Sequence, residues 1–423
     1  MNLRNFKLLF LTFAMISLVA ACQNKQREKE DFIKGNVKFA TAQTDIMLQV
    51  VGEPTGNNYP RTMKRNGELA VTSMYDWTPG FFPGSLWYLY ELTGETKWRD
   101  MAEKWTTSLE PLKTFTGHHD LGFMMYCSYG NAERLDPKPE YKEILIESAN
   151  SLSSRFSEKT QTIKSWNYRK NWNDTTEWFY PVIIDNMMNL EMLFYASKVS
   201  GDKKYYDIAV KHSESTLKNH FRKDFSTYHV VDYDTITGNV LDQATCQGFS
   251  DNSTWSRGQA WAIYGFTMVY RETKDPKFLD AAIKATEMYL KNLPEDMVPL
   301  WDFNAGEAGY AAEGKSYAVE FPGKELRDAS AAAIVCSALF ELSGYANKPE
   351  YLDYAIKMLY SLASPAYRAP LGENAGFLLM HSVGSIPHKS EIDKPLVYAD
   401  YYFLEALIRY RNMNSQNNTL YQD

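Results

Sequence analysis

Six stretches of this chain are apolar on nearly every helical face, and the helices between them repeat apolar residues every three or four positions and leave the rest charged. The first kind contains GSLWYLYEL, LGFMMYCSYG, VIIDNMMNLEMLFYA, QAWAIYGFTMVY, ASAAAIVCSALFEL and DYYFLEALIRY, beginning near residues 79, 120, 182, 257, 329 and 400. Too few charges remain on them for a wet face, so they are predicted as inner helices. The second kind carries a signature, aromatic-x-Asp-x-Ala-x-Lys, that starts at Trp98 and returns at Tyr205, Phe278 and Tyr351, with a degenerate copy at Tyr141. Its half-apolar periodicity predicts an outer layer. Turns rich in helix-stopping Gly or Pro join the two kinds: ELTGETK from Glu91, KVSGDKK from Lys198, RETKDPK from Arg271 and ELSGYANKP from Glu341. Residues 31–51 can supply the sixth outer helix.

Six helix pairs in two concentric rings make an all-α (α/α)6 toroid, a single domain. An open solenoid is the competing architecture, and it needs repeats of nearly fixed length, roughly 34 to 47 residues. Successive signatures here are 43, 64, 73 and 73 residues apart. Such uneven connections suit a closed ring with long functional loops.

Polar residues gather where the inner helices begin, and a helix N-terminus offers unpaired N–H donors and partial positive charge. Asp76, Trp77, Asp120, Asp185, Trp255, Arg257, Asp328 and Asp400 all lie within about one turn of such a start. Parallel inner helices would bring them to one mouth, giving a pocket of carboxylates, aromatics and a cation suited to an anionic or sugar-like ligand. Helix capping accounts for most of these aspartates taken singly. Asp185 differs, because Val182, Ile183 and Ile184 precede it and Asn186, Met187 and Met188 follow. A carboxyl in such surroundings is pushed toward its protonated form, which makes it a general-acid candidate.

The N-terminus adds a destination. Arg4 and Lys7 precede an apolar run at 8–21 that ends Val19-Ala20-Ala21-Cys22, the layout of a secretory signal. The run is short for a membrane span and includes Thr12 and Ser17. Its end resembles a bacterial lipobox, which implies a lipoprotein signal at 1–21, lipidation at Cys22, a polar tether over 22–30 and the catalytic domain over 31–423. The expected place is the bacterial cell envelope, with membrane contact only through the lipid anchor. Cys127, Cys246 and Cys336 are widely separated, with no disulfide framework or zinc spacing, and read as core residues; no metal or cofactor is expected.

Net charge is −7 over 423 residues, and removing Arg4 and Lys7 with the leader makes it −9, which argues against nucleic acid as a partner. Aromatic content of 14%, with many rings in loops before the inner helices, points instead to sugar stacking.

The segments DWTPGFFPGSLWYLYELTG from Asp76, HHDLGF from His118, VIIDNMMNLEMLFYA from Val182 and WSRGQAWAIYGF from Trp255 resemble glycoside hydrolase family 88, the unsaturated glucuronyl hydrolases. Further similarity lies in YHVVDYD from Tyr228, TCQGFSDNS from Thr245, RDASAAAI from Arg327 and DYYFLEALIR from Asp400. The resemblance implies an (α/α)6 barrel that needs no metal and removes a 4,5-unsaturated uronic acid from the non-reducing end of oligosaccharides left by polysaccharide lyases. A carboxylic acid protonates C4 of the C4=C5 bond, water adds at C5, and the hemiketal collapses to a keto-uronate and releases the next sugar. Asp185 matches the family's general acid and base, and Asp120 the second essential aspartate. His229, Gln247, Trp255, Arg257 and Trp261 match positions that contact the unsaturated sugar, with Arg257 expected to pair its carboxylate. Trp77 is expected as a stacking wall, and Asp328 as a cap rather than a catalyst.

Some members take sulfate through Ser-x-x-Ser-x-Lys; here Ser382 and Ser385 are followed by Pro387 at the lysine's place, so that device does not carry over. Glycosaminoglycan disaccharides from chondroitin, hyaluronan or heparin are the expected substrates. An unsaturated rhamnogalacturonyl hydrolase acting on pectin fragments and a non-catalytic lipid-anchored glycan-binding protein are the alternatives.

Overall fold

The computed structural model describes residues 3–413. Side chains are described from residue 24 on, except Lys25, so those of the expected leader at 1–21 and of Cys22 lie outside the described ones. Twelve α-helices alternate between two layers. The outer ones are α1 (Leu3–Val51), α3 (Thr96–Thr107), α5 (Pro139–Ser153), α7 (Lys203–Asn219), α9 (Pro276–Lys291) and α11 (Pro349–Leu362). The inner ones are α2 (Phe81–Thr93), α4 (Asn131–Leu135), α6 (Leu190–Ser200), α8 (Ser256–Thr273), α10 (Ala329–Leu342) and α12 (Val397–Asn412).

The inner ring closes. α2 packs on the segment leading into α4, that segment on the turn before α6, and then α8, α10 and α12 follow, with α12 returning to α2. A solenoid would leave its first and last helices apart. The outer ring closes through α1, whose Phe32 stacks on Tyr360 of α11 at 4.0 Å while its Asp45 pairs with Lys97 of α3. The polar stretch 22–30 continues α1 rather than leaving it, with Lys29 buried and its ammonium 4.9 Å from the Tyr410 ring. Lys, Glu and Gln are good helix formers, and Gln26 donates to Glu30 one turn on at 2.8 Å.

Local signals act as expected at the turns. Gly94 ends α2 at φ 72°, and Asp202 and Asp275 cap α7 and α9 by accepting from the N–H groups of Lys204 and Lys277. The second inner helix departs from the expected form. Its first half, Gly122–Gly130, is π-helical and only then becomes α4. Phe123 N–H donates to Asn189 Oδ1 at 3.1 Å, and a Cβ on Gly122 would lie 2.4 Å from the Asn189 Cα. The wider turn therefore accommodates a neighbour at contact distance, a feature that often marks functional sites.

Inside the barrel, the inner helices share a buried ionic network. Arg271 joins Glu191 and Glu341, Arg409 joins Glu341 at 2.8 Å, and Glu405 accepts from Tyr88 and Tyr264. Short antiparallel hairpins decorate the barrel. One sheet, Pro181–Ile183, Val230–Tyr233 and Val240–Ala244, stands beside the mouth.

Candidate active site

The starts of the inner helices do meet. Arg257 at the start of α8 pairs with Asp328 at the start of α10 at 2.8 Å, and Trp77 before α2 lies 4.9 Å from Tyr398 of α12. The aspartates there divide by partner. Asp76 accepts from Thr78 N–H and pairs with Arg61, Asp328 accepts from Ser330 N–H, and Asp400 holds the N–H groups of Leu378 and Leu379. Those three shape backbone. Asp120 and Asp185 do not.

Asp185 sits in a 3-10 turn, Ile184–Asn189, directly after the strand Pro181–Ile183. Ile183 pairs with Val230 in that sheet, and Ile184 N–H donates to the His229 carbonyl at 3.0 Å, so Asp185 and His229 emerge side by side. His229 Nδ1 accepts from Cys246 N–H at 2.9 Å, which leaves the proton of the neutral ring on Nε2, 3.6 Å from Asp185 Oδ2. Burial, with the charges of Arg169 and Arg257, holds His229 well below its ordinary range and therefore neutral. Burial likewise pushes Asp185 up to about 7, against the pull of the Arg257 charge and with a further push from Asp120. The two carboxyls thus feel one another.

Asp120 stands just before the π-helical segment, flanked by two histidines whose proton affinities are shifted in opposite directions. His118 Nδ1 lies 3.0 Å from its Oδ2, and His118 Nε2 faces the Tyr75 carbonyl at 3.1 Å. Burial opposes charge on His118, but these acceptors outweigh it and raise the ring's affinity for a second proton. His119 is lowered to about 4, chiefly by burial, and stays neutral. Asp120 Oδ1, an acceptor 3.3 Å from His119 Nε2, favours the Nε2–H tautomer, in which Nδ1 accepts from the Ser165 hydroxyl at 3.2 Å while Ser165 Oγ accepts from Ile183 N–H. Burial disfavours the Asp120 charge, yet His119, His118 and Arg155 together hold it below the usual carboxylate range. One carboxyl is shifted toward its protonated form and the other toward its ionised form, close enough to influence each other.

The rest of the expected set lines the same place. Trp255 lies 4.7 Å from the His229 ring, Gln247 reaches Arg257 at 3.4 Å, and Trp77, Phe123 and Trp261 form a continuous aromatic line. Trp77 is half-buried, with one part in the core and one toward the pocket. Among the described residues Asp185 Oδ2, His229 Nε2, Trp255 Nε1 and Trp261 Nε1 are buried without a hydrogen-bond partner. Asp185 Oδ2 and His229 Nε2 lie 3.6 Å apart, and polar groups left open side by side in this way suit the hydroxyls of a sugar.

Arg257 differs from its expectation. Its fork is turned to Asp328 and to the Val383 and Gly384 carbonyls, both at 2.5 Å, and it is 1% exposed. A buried guanidinium needs a counterion, and Asp328 is already beside it, so the pair neutralises itself and clamps the 382–385 hairpin.

The whole span of these elements matches the model of Glycosyl Hydrolase Family 88 over residues 55–402. The chain belongs to glycoside hydrolase family 88. It is 45% identical over 413 residues, 96% of this chain and 98% of the relative, to an unsaturated glucuronyl hydrolase of Formosa agariphila. An unsaturated chondroitin disaccharide hydrolase of Streptococcus pyogenes is 30% identical over 93% of this chain and 96% of its own length. Among solved structures, an unsaturated glucuronyl hydrolase specific for heparin superposes with a TM-score of 0.83 at 40% identity, covering 92% of this chain and all of the other. The family-88 chain is therefore a glycosidase, and the (α/α)6 barrel is the fold it shares with these relatives.

Three residues of this family-88 pocket were not expected from sequence. Ser165 donates to His119 Nδ1, His119 itself faces Asp120, and Arg169 lies at the rim between Trp166 at 5.3 Å and Trp172 at 5.9 Å. Arg169 and its two tryptophans stand close together in SWNYRKNW, a basic and aromatic cluster that was the available signal. Ser165 carries no local sign of its role. Replacing it with Ala removes one neutral hydrogen bond, about 1 kcal/mol, and is expected to lower kcat severalfold with KM little changed, as steady-state kinetics on an unsaturated disaccharide will show.

Proposed function

We propose that this glycosidase removes a 4,5-unsaturated uronic acid from the non-reducing end of lyase-generated glycosaminoglycan disaccharides by hydrating the C4=C5 bond. The observation that carries the reading is a pair of interacting buried carboxyls whose surroundings shift their proton affinities in opposite directions. Asp185 gives its proton to C4, positive charge develops at C5 beside the ring oxygen, and ionised Asp120 stabilises that charge. Water then adds at C5 and returns a proton to Asp185. The hemiketal opens to a 5-keto uronate, and C1, now a hemiacetal, expels the neighbouring sugar.

The names of the relatives point to chondroitin and heparin fragments. Half-buried Arg169, rather than Arg257, is the cation placed for an acidic sugar in this pocket, between rings that suit its faces. Loss of the ultraviolet absorbance of the conjugated C4=C5 bond on adding protein to an unsaturated chondroitin disaccharide tests the reading. Absorbance that holds while the sugar binds would leave a binding protein in its place.

The same reading includes an anchored enzyme in the bacterial cell envelope, lipidated at Cys22, supported by the run Val19-Ala20-Ala21-Cys22. In a Gram-negative host, Cys22→Ser is expected to abolish incorporation of labelled palmitate and release the protein from the membrane fraction. Labelling that survives the substitution would remove the anchor.

A further inference from the structure

Behind the loop that carries Gln247 lies a second cleft of about 570 Å³, bounded by the turn after α7, the C-terminal half of α9 and the 304–310 loop. It belongs to the same end of the barrel as the catalytic pocket. Asn252 and Thr254 line it, while Gln247 and Trp255 on the same loop line the pocket. We propose that this cleft is a secondary binding site for an anionic oligosaccharide, held beside the active-site mouth. The kind of sugar rests on the substrate class proposed above.

Charge is the first support. The chain is net negative, yet Lys223, Lys284 and Lys291 converge here. Lys223 and Lys291 are exposed and, among the described residues, neither is held by an ion pair. Lys284 lies over the Phe225 ring at 4.9 Å and contacts Asp280 on its own helix. Four cations line the cleft, Arg222 included, against two acids. Glu287 pairs with Lys348, and Asp224 accepts from the N–H and hydroxyl of Ser226. The lysines therefore leave a positive field in a concave place, where low-dielectric walls concentrate it.

Aromatic surface is the second support. Phe225 and Tyr310 line the cleft, and Phe225 is held at φ 63°, a backbone region that bulky residues seldom adopt. The turn is locked there, because Phe225 N–H donates to the Arg222 carbonyl and its own carbonyl accepts from Gln259 of α8. Arg222 is fixed in turn by the carbonyls of Asp251 and Ser253. Such backbone strain persists where surrounding structure imposes it, and it presents a ring beside three ammonium groups. Rings and cations together, in a space within the usual range for ligand sites, suit a sugar bearing sulfate or carboxylate.

A chondroitin sulfate hexasaccharide with a saturated non-reducing end is the probe, because it lacks the double bond that the enzyme consumes. Calorimetry at low ionic strength is expected to show binding that weakens with added salt. Combining Lys223→Ala, Lys284→Ala and Lys291→Ala should raise Kd at least about tenfold, given the strength of charge-assisted contacts. Turnover of the unsaturated disaccharide should be unchanged, which also shows that the variant is folded. Glu287→Gln should bind the hexasaccharide more tightly than the parent. An unaltered Kd in the triple variant, or equal binding of neutral maltohexaose, overturns the proposal. If the lysine substitutions abolish binding but the parent protein shows no turnover, the hydrolase reading falls and the cleft stands.

Discussion

Asp185→Asn is expected to lower kcat by a factor on the order of 10³ while leaving disaccharide affinity nearly intact, since general acid catalysis contributes about 10² to 10⁴. Asparagine keeps the shape and cannot supply the proton. The pH profile of the parent carries the same information. Asp185 must hold its proton to act, and burial raises it to about 7, so kcat/KM should fall as pH rises through the neutral range. Asp120 must be ionised, and its pKa is held below the ordinary carboxylate value, so the acid limb should lie below that of a free aspartate. Asp120→Asn removes a negative neighbour that pushes Asp185 up; the alkaline limb of the residual activity should then move to lower pH. An Asp185→Asn enzyme with substantial turnover, or a rate flat from neutral into mild alkali, would end the assignment.

The second large effect concerns stability. Arg271→Met should destabilise the fold by about 3 to 5 kcal/mol, because it strands the buried Glu191 carboxyl and takes from Glu341 one of its two guanidinium partners. The guanidinium itself is buried, and Arg409 is left to serve Glu341 and Glu405. The exposed Lys203–Asp207 pair on α7 is the control, and Lys203→Met should leave the unfolding midpoint unchanged. Equal midpoints for the two variants would show that the network does not hold the inner ring.

The arginines of the network lie in the last turns of α8 and α12, whereas the catalytic pocket forms where inner helices begin, and this separation has a physical reason. Helix starts offer N–H groups, a setting for carboxylates and anionic ligands. Helix ends offer carbonyls and favour cations, as with Arg271 and Arg409 in the last turns of α8 and α12. A change that loosens the network should therefore lower the melting point well before it alters the geometry of Asp120 and Asp185.

Much of the architecture was legible along the chain because it is periodic. The outer signature at Trp98, Tyr205, Phe278 and Tyr351 and the apolar inner runs are local patterns, and local patterns specify which face of a helix is buried. The setting of Asp185 was legible for the same reason, since its apolar neighbours adjoin it in sequence. The π-helical start of the second inner helix was not, because it answers to Asn189 on another element. Nor was the sheet beside the mouth, whose short strands are held by partners up to about fifty residues away.

What the sequence determined alone was a ring of helix pairs, the acid in its apolar run and the aromatic, acidic character of the mouth. What only the tertiary structure decided was how the charges are spent: Ser165 hydrogen-bonded to His119 from 46 residues away, and Arg257 committed to Asp328 across 71. Periodicity reports burial, a property of each segment, whereas the state of a proton depends on which groups lie within a few ångströms. That is settled only when the ring closes and brings distant helix starts to one place.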